Sequence, residues 1–376
     1  MRNRLAAVAA TFALSLTAGS ALAQDSYDVA VVRWAPDDIY FNGVQLGQEL
    51  ERQRIEEKHG VDINFRVFGA NDVGEQRNFL DAQLARGVDG VLLVPWRGEA
   101  MRASLAQMQR DNIPVVTSNA YVPDSEQVFV AFDNETAGRL GGEAIVNRLT
   151  ELRGENWAEE GGVIVELRCI ITASFDIDRH NGYRSVLDPI TEKHDNLAIE
   201  TREAGCNGGD ARSAVEDIIS RHGGGNLLAV ASIDGTMGVG GAVPALKAQG
   251  LLYPRDDSRH IPVTTIDGTV PELQAVARGD IDHVSVQPAV GEGVMTMQLL
   301  WQQMNDNRAE LPEIGATLNG DELWRPVQVM ENQGFKGPWF KTQAYTVPGD
   351  VPHDDPRIWS NRMYKDENGS LPSYPQ

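Results

Sequence analysis

The sequence predicts an α/β protein built from two successive doubly wound parallel sheets, and three observations carry that prediction. Short runs such as Asp28–Trp34, Gly90–Pro95 and Leu227–Ser232 are predominantly apolar, without strict alternation, as expected of strands covered on both faces. Stretches of helical period separate them. The alternation also occurs twice, once on each side of Asp133-Asn134, so each series closes its own sheet through right-handed crossovers. Each half is therefore read as Rossmann-like.

In the first series, the strand Asp28–Trp34 is followed by a helix over Phe41–Lys58 that stops at His59-Gly60. Asp62–Phe68 is the next strand, and Glu75–Arg86 is a helix ended by Gly87. Gly90–Pro95 (strand), Glu99–Asp111 (helix), Pro114–Ser118 and Val128–Phe132 (strands) complete the series. The second opens with a helix over Glu135–Leu149 and alternates through the strands Val163–Cys169, Leu197–Glu203, Leu227–Ser232, Pro262–Ile266 and His283–Val286. Its intervening helices are Arg179–Lys193, Ala211–Arg221, Met237–Gln249 and Glu272–Ala277.

The chain of 376 residues carries 33 Lys+Arg against 54 Asp+Glu, a net charge of −21. Such an acidic surface repels phosphate backbones and anionic bilayers, which argues against nucleic acid or a membrane surface as partner. Arg2 and Arg4, an apolar run over Leu5–Leu16, and Ala21-Leu22-Ala23 follow the order of a cleavable export signal. The run is shorter than the roughly 20 residues that span a bilayer. An exported protein beginning near Gln24, most simply periplasmic, is expected. Loss of the two leader arginines deepens its charge to −23. In an oxidising compartment the two cysteines, Cys169 and Cys206, have one possible pairing. They end consecutive strand runs, so a bridge is expected over the alternative of two buried thiols.

Ligands of open α/β sheets sit beyond the carboxyl ends of the strands. The residues placed there are Trp34, Asp38, Tyr40, Phe41, Trp96, Asn119, Phe175, Asp176, Arg179, Asp234, Asp267 and Gln287. Aromatic faces joined to carboxylates, amides and one guanidinium suit a ligand rich in hydroxyls, which both donate and accept. No metal-ligand spacing occurs among them, and no cofactor is implied. Each residue also has a plainer use. Asp38 reads as a helix N-cap, Asp234 and Asp267 before glycine as turn residues, Trp34 and Trp96 as core, and Arg179 as one arm of an ion pair. Their recurrence at strand ends in both series favours the binding role. A Gly-x-Ser-x-Gly elbow, a Walker loop and a zinc helix are all absent from the sequence, so enzyme readings find little support.

With these motifs in place, the chain resembles the ribose/galactose type of periplasmic sugar-binding protein of ABC importers, over roughly Asp28 to Met330. The likeness rests on Tyr40-Phe41 opening the first helix, Asn112-Ile113-Pro114-Val115-Val116, and Phe132-Asp133-Asn134 at the crossover. It continues through Arg179-His180-Asn181-Gly182-Tyr183, Ile233-Asp234-Gly235, Ile266-Asp267-Gly268-Thr269 and Val284-Ser285-Val286-Gln287-Pro288. The resemblance implies that Asp38, Tyr40, Phe41, Asn119, Arg179, Asp234, Asp267 and Gln287 meet the ligand; Trp34, Trp96 and Phe175 are added by position. Asn119-Ala120 stands where many relatives carry Asp-Arg, Ile233 where a polar residue is common, and Cys206 where relatives often place an aromatic.

The implied organisation is a leader (1–23), a first lobe (24–132 and 288–310), a second lobe (133–287 and 311–330) and a C-terminal extension (331–376). Three crossovers are expected to form the hinge, near Ser118–Asn134, Ser232–Asp267 and Val286–Pro288. The aromatic-rich, proline-marked extension is expected to be irregular and to pack along the body, bracing the hinge or one lobe. The implied function is capture of a sugar or sugar alcohol by hinge closure and its delivery, by a monomer, to an ABC permease. A sensor subunit serving a receptor and a periplasmic carbohydrate-active enzyme are the alternatives.

Overall fold

The computed structural model describes residues 25–305 and 311–363; the expected leader at 1–23 lies outside them. Among the described residues no helix is long and apolar enough to cross a membrane.

The first sheet is built on β1 (Ser26–Trp34), β2 (Asp62–Ala70), β3 (Gly90–Leu93), β4 (Val115–Ser118) and β5 (Val128–Phe132), all parallel. Helices α1 (Ile39–His59), α2 (Val73–Arg86) and α3 (Gly98–Arg110) connect its early strands. Helix α4 (Asn134–Arg153) leads into the second sheet. That sheet holds β6 (Gly162–Arg168), β7 (Leu197–Glu203), β8 (Leu227–Ser232), β9 (Val263–Ile266) and β10 (His283–Val286), again parallel. Its helices are α5 (Ser174–Thr191), α6 (Gly208–His222), α7 (Gly235–Met237), α8 (Val243–Ala248) and α9 (Val270–Arg278). The single helix expected over Met237–Gln249 is interrupted by a π turn at Gly238–Ala242. Strands β3, β4, β5, β8, β9 and β10 are buried along their whole length, which is why β3, β5 and β8 read as nearly continuous apolar runs.

Beyond Pro288 the chain departs from expectation. Helix α10 (Ala289–Met304) returns to the first lobe. Strands β11 (Thr317–Leu318) and β12 (Val327–Met330) then join the first sheet, not the second lobe to which 311–330 was assigned. The cause is β13 (Trp339–Thr342), which inserts parallel to β5 and pairs antiparallel with β12. The chain then crosses once more, and β14 (Tyr345–Val347) closes the second sheet antiparallel to β10. The sheet orders are β11-β12-β13-β5-β4-β3-β1-β2 and β14-β10-β9-β8-β6-β7. The extension is therefore part of both sheets and is regular at its start.

Three segments do link the lobes, but they are Phe132–Asn134, Val286–Pro288 and Thr342–Tyr345. Ser232–Asp267 is not a crossing, because β8 and β9 are hydrogen-bonded neighbours in one sheet. Lys341 Nζ lies 2.9 Å from Asp133, tying the third crossing to the first.

Each lobe also has one helix pair in which glycine allows backbone contact. A Cβ on Gly47 of α1 would fall 2.1 Å from the Val290 carbonyl of α10, and one on Gly293 would fall 2.0 Å from that of Val44. In the second lobe Gly138 of α4 and Gly182 of α5 stand in the same reciprocal relation, at 2.0 and 2.1 Å from the Arg179 and Glu135 carbonyls. These approaches exclude any larger residue. They set α1 and α5, the two helices richest in site residues, at fixed distances from the hinge. Cys169 and Cys206 form the expected disulfide, joining the ends of β6 and β7.

Candidate functional site

The first lobe contributes an aromatic wall. Trp34 ends β1 and Trp96 follows β3; their rings stack at 5.4 Å, and Phe41 meets Trp34 edge-on at 4.9 Å. Trp34 and Phe41 are buried, whereas Trp96 is only partly so. The Trp34 indole N–H is buried without a hydrogen-bond partner. Asp38 caps α1, accepting from the N–H groups of Tyr40 and Phe41 at 2.8 and 3.3 Å, so its plainer role is real. Burial still raises its carboxyl above the ordinary range, against the pull of those two N–H groups.

The second lobe contributes a polar wall centred on Arg179. Four residues apart on α5, Phe175 and Arg179 share one face, and the guanidinium lies between the rings of Phe175 and Phe132 at 5.2 and 5.3 Å. Its Nε donates to Asn134 Oδ1 at 2.7 Å, Nη1 to the Ile233 carbonyl at 2.8 Å, and Nη2 to Gln287 Oε1 at 2.6 Å. Asp267 Oδ1 is 3.6 Å away. Arg179 is only 2 % exposed, so it is a buried junction and not a surface ion pair. Asp234 caps α7 through the Met237 N–H at 2.9 Å, and Asp267 Oδ2 accepts from the Gly235 N–H at 3.0 Å. Burial raises the pKa of both carboxyls; the neighbouring charges of Asp38 at Asp234, and of Asp234 at Asp267, push the same way. Asp176, which also follows β6, is consumed by Arg168 and the N–H groups of Cys169 and Ile170.

Gln287, at the second crossing, joins the walls. Its Nε2 donates to Tyr40 Oη at 2.6 Å, to Glu292 at 3.1 Å and to Asn119 Oδ1 at 3.4 Å. The Tyr40 hydroxyl in turn donates to Glu292. Ring contacts and hydrogen bonds thus link most of the expected residues, and of the eleven Asp38 and Asp267 line the cavity between the lobes. A cavity of 480 Å³ opens between the lobes, lined by Asp38 and Ile39 from one side and by Thr236, Val239 and Asp267 from the other. That volume fits a small-molecule site.

Sequence reasoning missed three participants. Glu292 is fully buried and also accepts from Thr342; it is the one acid in the otherwise uncharged helix Ala289–Met304, a signal that was available. Asn134 anchors Arg179 but reads as part of a crossover. Trp359 donates its indole N–H to the Asp267 carbonyl, and nothing local in the sequence marks that contact. Among the described residues no group of His, Cys, Asp and Glu is arranged to hold a metal ion.

Two predominantly parallel sheets, one in each lobe beside a cleft, define a two-lobed fold, and comparison with known proteins identifies the family. A model of the periplasmic binding protein domain matches residues 29–308, and the chain belongs to that family. Among curated proteins it is 23 % identical to the D-xylose-binding periplasmic protein of Escherichia coli (strain K12), over 63 % of this chain and 70 % of that one. It is 25 % identical to the xylitol-binding protein of Mycolicibacterium smegmatis, over 58 % of this chain but only 56 % of that protein. Solved structures with the same fold include an ABC transporter solute-binding protein from Agrobacterium vitis bound with α-D-tagatopyranose (TM-score 0.67, 16 % identity, 88 % of this chain and 97 % of that one). Another is a solute-binding protein from Burkholderia graminis in complex with D-arabinose (TM-score 0.65, 17 % identity, 87 % and 96 %).

Proposed function

We propose that this protein is the periplasmic solute receptor of an ABC importer and captures a sugar or sugar alcohol between its lobes. The observation that supports this most directly is that Asp38 and Asp267, from opposite lobes, line the same cavity. A ligand contacting both favours the closed form by its differential affinity for the two states. Stacking on the Trp34–Phe41–Trp96 wall supplies affinity for the apolar face of a sugar ring. Asp38, Asn119, Arg179, Asp234, Asp267 and Gln287 select among hydroxyl patterns, because an unmatched hydroxyl leaves one of them buried and unpaired. The names of the two curated relatives, one a xylose-binding and one a xylitol-binding protein, support taking five-carbon sugars and polyols as the first candidates. In this reading the leader is cleaved near Ala23, the mature chain acts as a monomer without catalysis, and the closed form docks on a permease.

A thermal-shift screen of pentoses, hexoses and alditols, followed by calorimetry on the best hit, tests the proposal. A stabilising ligand recovered unchanged is expected, with its affinity reduced at least tenfold by Asp234→Ala and by Arg179→Ala. Full affinity in both variants would show that the ligand binds elsewhere. Chemical turnover of the hit would overturn the receptor reading.

A further inference from the structure

We infer that Trp359 is a positioning residue of the binding cleft: it seats the Asp267–Gly268 turn of the second lobe on helices α1 and α10 of the first, and so biases lobe closure. The inference rests on the reading of that cleft as the solute site.

The chain reaches this point by its own architecture. After β14 the segment doubles back, burying Val351 and Ile358. Asp355 accepts from the Arg357 N–H and guanidinium, while Asn361 Nδ2 donates to the His353 and Asp355 carbonyls. These local bonds give the segment a shape of its own. They deliver Trp359, 3 % exposed, into the junction between the lobes.

Trp359 touches both sides there. Its ring packs on α1, where a Cβ on Gly43 would fall 2.7 Å from it, and the turn that carries it contacts α10. It also meets the Tyr40 ring edge-on at 6.5 Å. Its indole N–H donates to the Asp267 carbonyl at 3.1 Å, and the Ser360 hydroxyl donates to the Gly268 carbonyl at 2.6 Å. The turn so held is unusual. Asp267 has φ +140° and Gly268 φ +81°, a backbone geometry an aspartate adopts only when its surroundings impose it. The Gln287 N–H donates to the same Asp267 carbonyl at 3.2 Å, so Trp359 and the second crossing grip one atom. The position of that carbonyl determines where the Asp267 carboxylate lies relative to Arg179 and Gly235. Of the three covalent crossings, the second also holds this turn, through the Gln287 N–H.

The test compares Trp359→Phe, which keeps a ring but loses the N–H, with Trp359→Ala, using the full chain. We expect Trp359→Phe to fold normally and to bind the best sugar or polyol about two- to tenfold more weakly, the scale of one net hydrogen bond. In a double-mutant cycle with Asp267→Asn, the two effects should be clearly non-additive. Trp359→Ala should weaken binding further and shift the small-angle scattering of the unliganded protein towards a wider lobe separation. Additive effects in the cycle, or wild-type affinity and scattering in both variants, would overturn the inference. If Trp359→Ala does not fold, the Trp359→Phe cycle decides alone. If the wild type binds no carbohydrate, the receptor reading falls, and scattering of the two unliganded variants still decides whether Trp359 sets lobe separation.

Discussion

The two walls of the cleft are assembled on different principles. On the first-lobe side Trp34, Phe41 and Trp96 hold one another by ring contacts within a single lobe. On the second-lobe side Arg179 is fixed by Asn134, Ile233, Asp267 and Gln287, which come from four separate segments of chain. Apolar contact is non-directional and tolerates small displacements. A buried hydrogen-bonded network tolerates almost none, because each unmatched group costs its full desolvation. Under the proposed function, the aromatic wall supplies affinity and the polar wall supplies geometry and selectivity.

Removing the centre of the polar wall breaks this contrast most severely. Arg179→Ala strands Asp267, the Asn134 and Gln287 side-chain oxygens and the Ile233 carbonyl in the buried hinge. Breaking a buried charge pair by deleting one partner costs about 3–5 kcal/mol. The variant should show a large fall in melting temperature by calorimetry and no detectable ligand binding. A variant as stable as the wild type would show that the network relaxes like the aromatic wall does.

The same contrast explains what was legible in the sequence. Strands and helices announce themselves by local period, so both sheets were read through β10. Trp34 and Trp96 were singled out as candidates because strand ends are local features, and Phe41 because it opens the first helix. Asp267 and Gln287 were named from their strand ends, but their meeting at Arg179 was not legible: Asn134 is 45 residues away and Gln287 is 108 away, and no short-range pattern encodes such contacts. The placement of 311–330 failed for a related reason. β12 is specified by its pairing with β13, whose own register depends on β5. A four-residue strand entered through a proline carries too little periodicity to reveal its sheet.

Glu292 offers a subtler break, through pH. Burial raises its carboxyl from 4.5 to about 7, despite hydrogen bonds from Tyr40, Gln287 and Thr342 that pull it down. Between those values the folded protein holds a proton that the unfolded chain has released. The corresponding stability is complete below pH 4.5 and is lost as pH rises through 7, a swing of about 3 kcal/mol at most. Glu292→Gln removes this titration, so its melting temperature relative to the wild type should be higher at pH 8 than at pH 5. An identical difference at both pH values would show that Glu292 is ionised throughout.

The smallest expected effect is the one that separates the walls most cleanly. Trp96 stacks on the buried Trp34 yet remains partly exposed, so replacing it disturbs little of the core. An aromatic contact of this kind is worth about 0.5–1.5 kcal/mol, and Trp96→Ala should weaken ligand binding by roughly two- to tenfold. Because the lost contact recognises a ring face and no particular hydroxyl, the variant's affinities for the preferred ligand and its epimers should fall by the same factor. Asp234→Asn should behave in the opposite manner. It keeps an oxygen to cap α7 but changes what is offered to a hydroxyl, so the epimer ratio should move more than the mean affinity. Calorimetric titration of both variants with one epimer pair measures the two quantities together. If Trp96→Ala shifted the ratio as strongly as Asp234→Asn, the aromatic wall would also be reading hydroxyl geometry, and the unpartnered Trp34 indole N–H behind it would be the group to examine next.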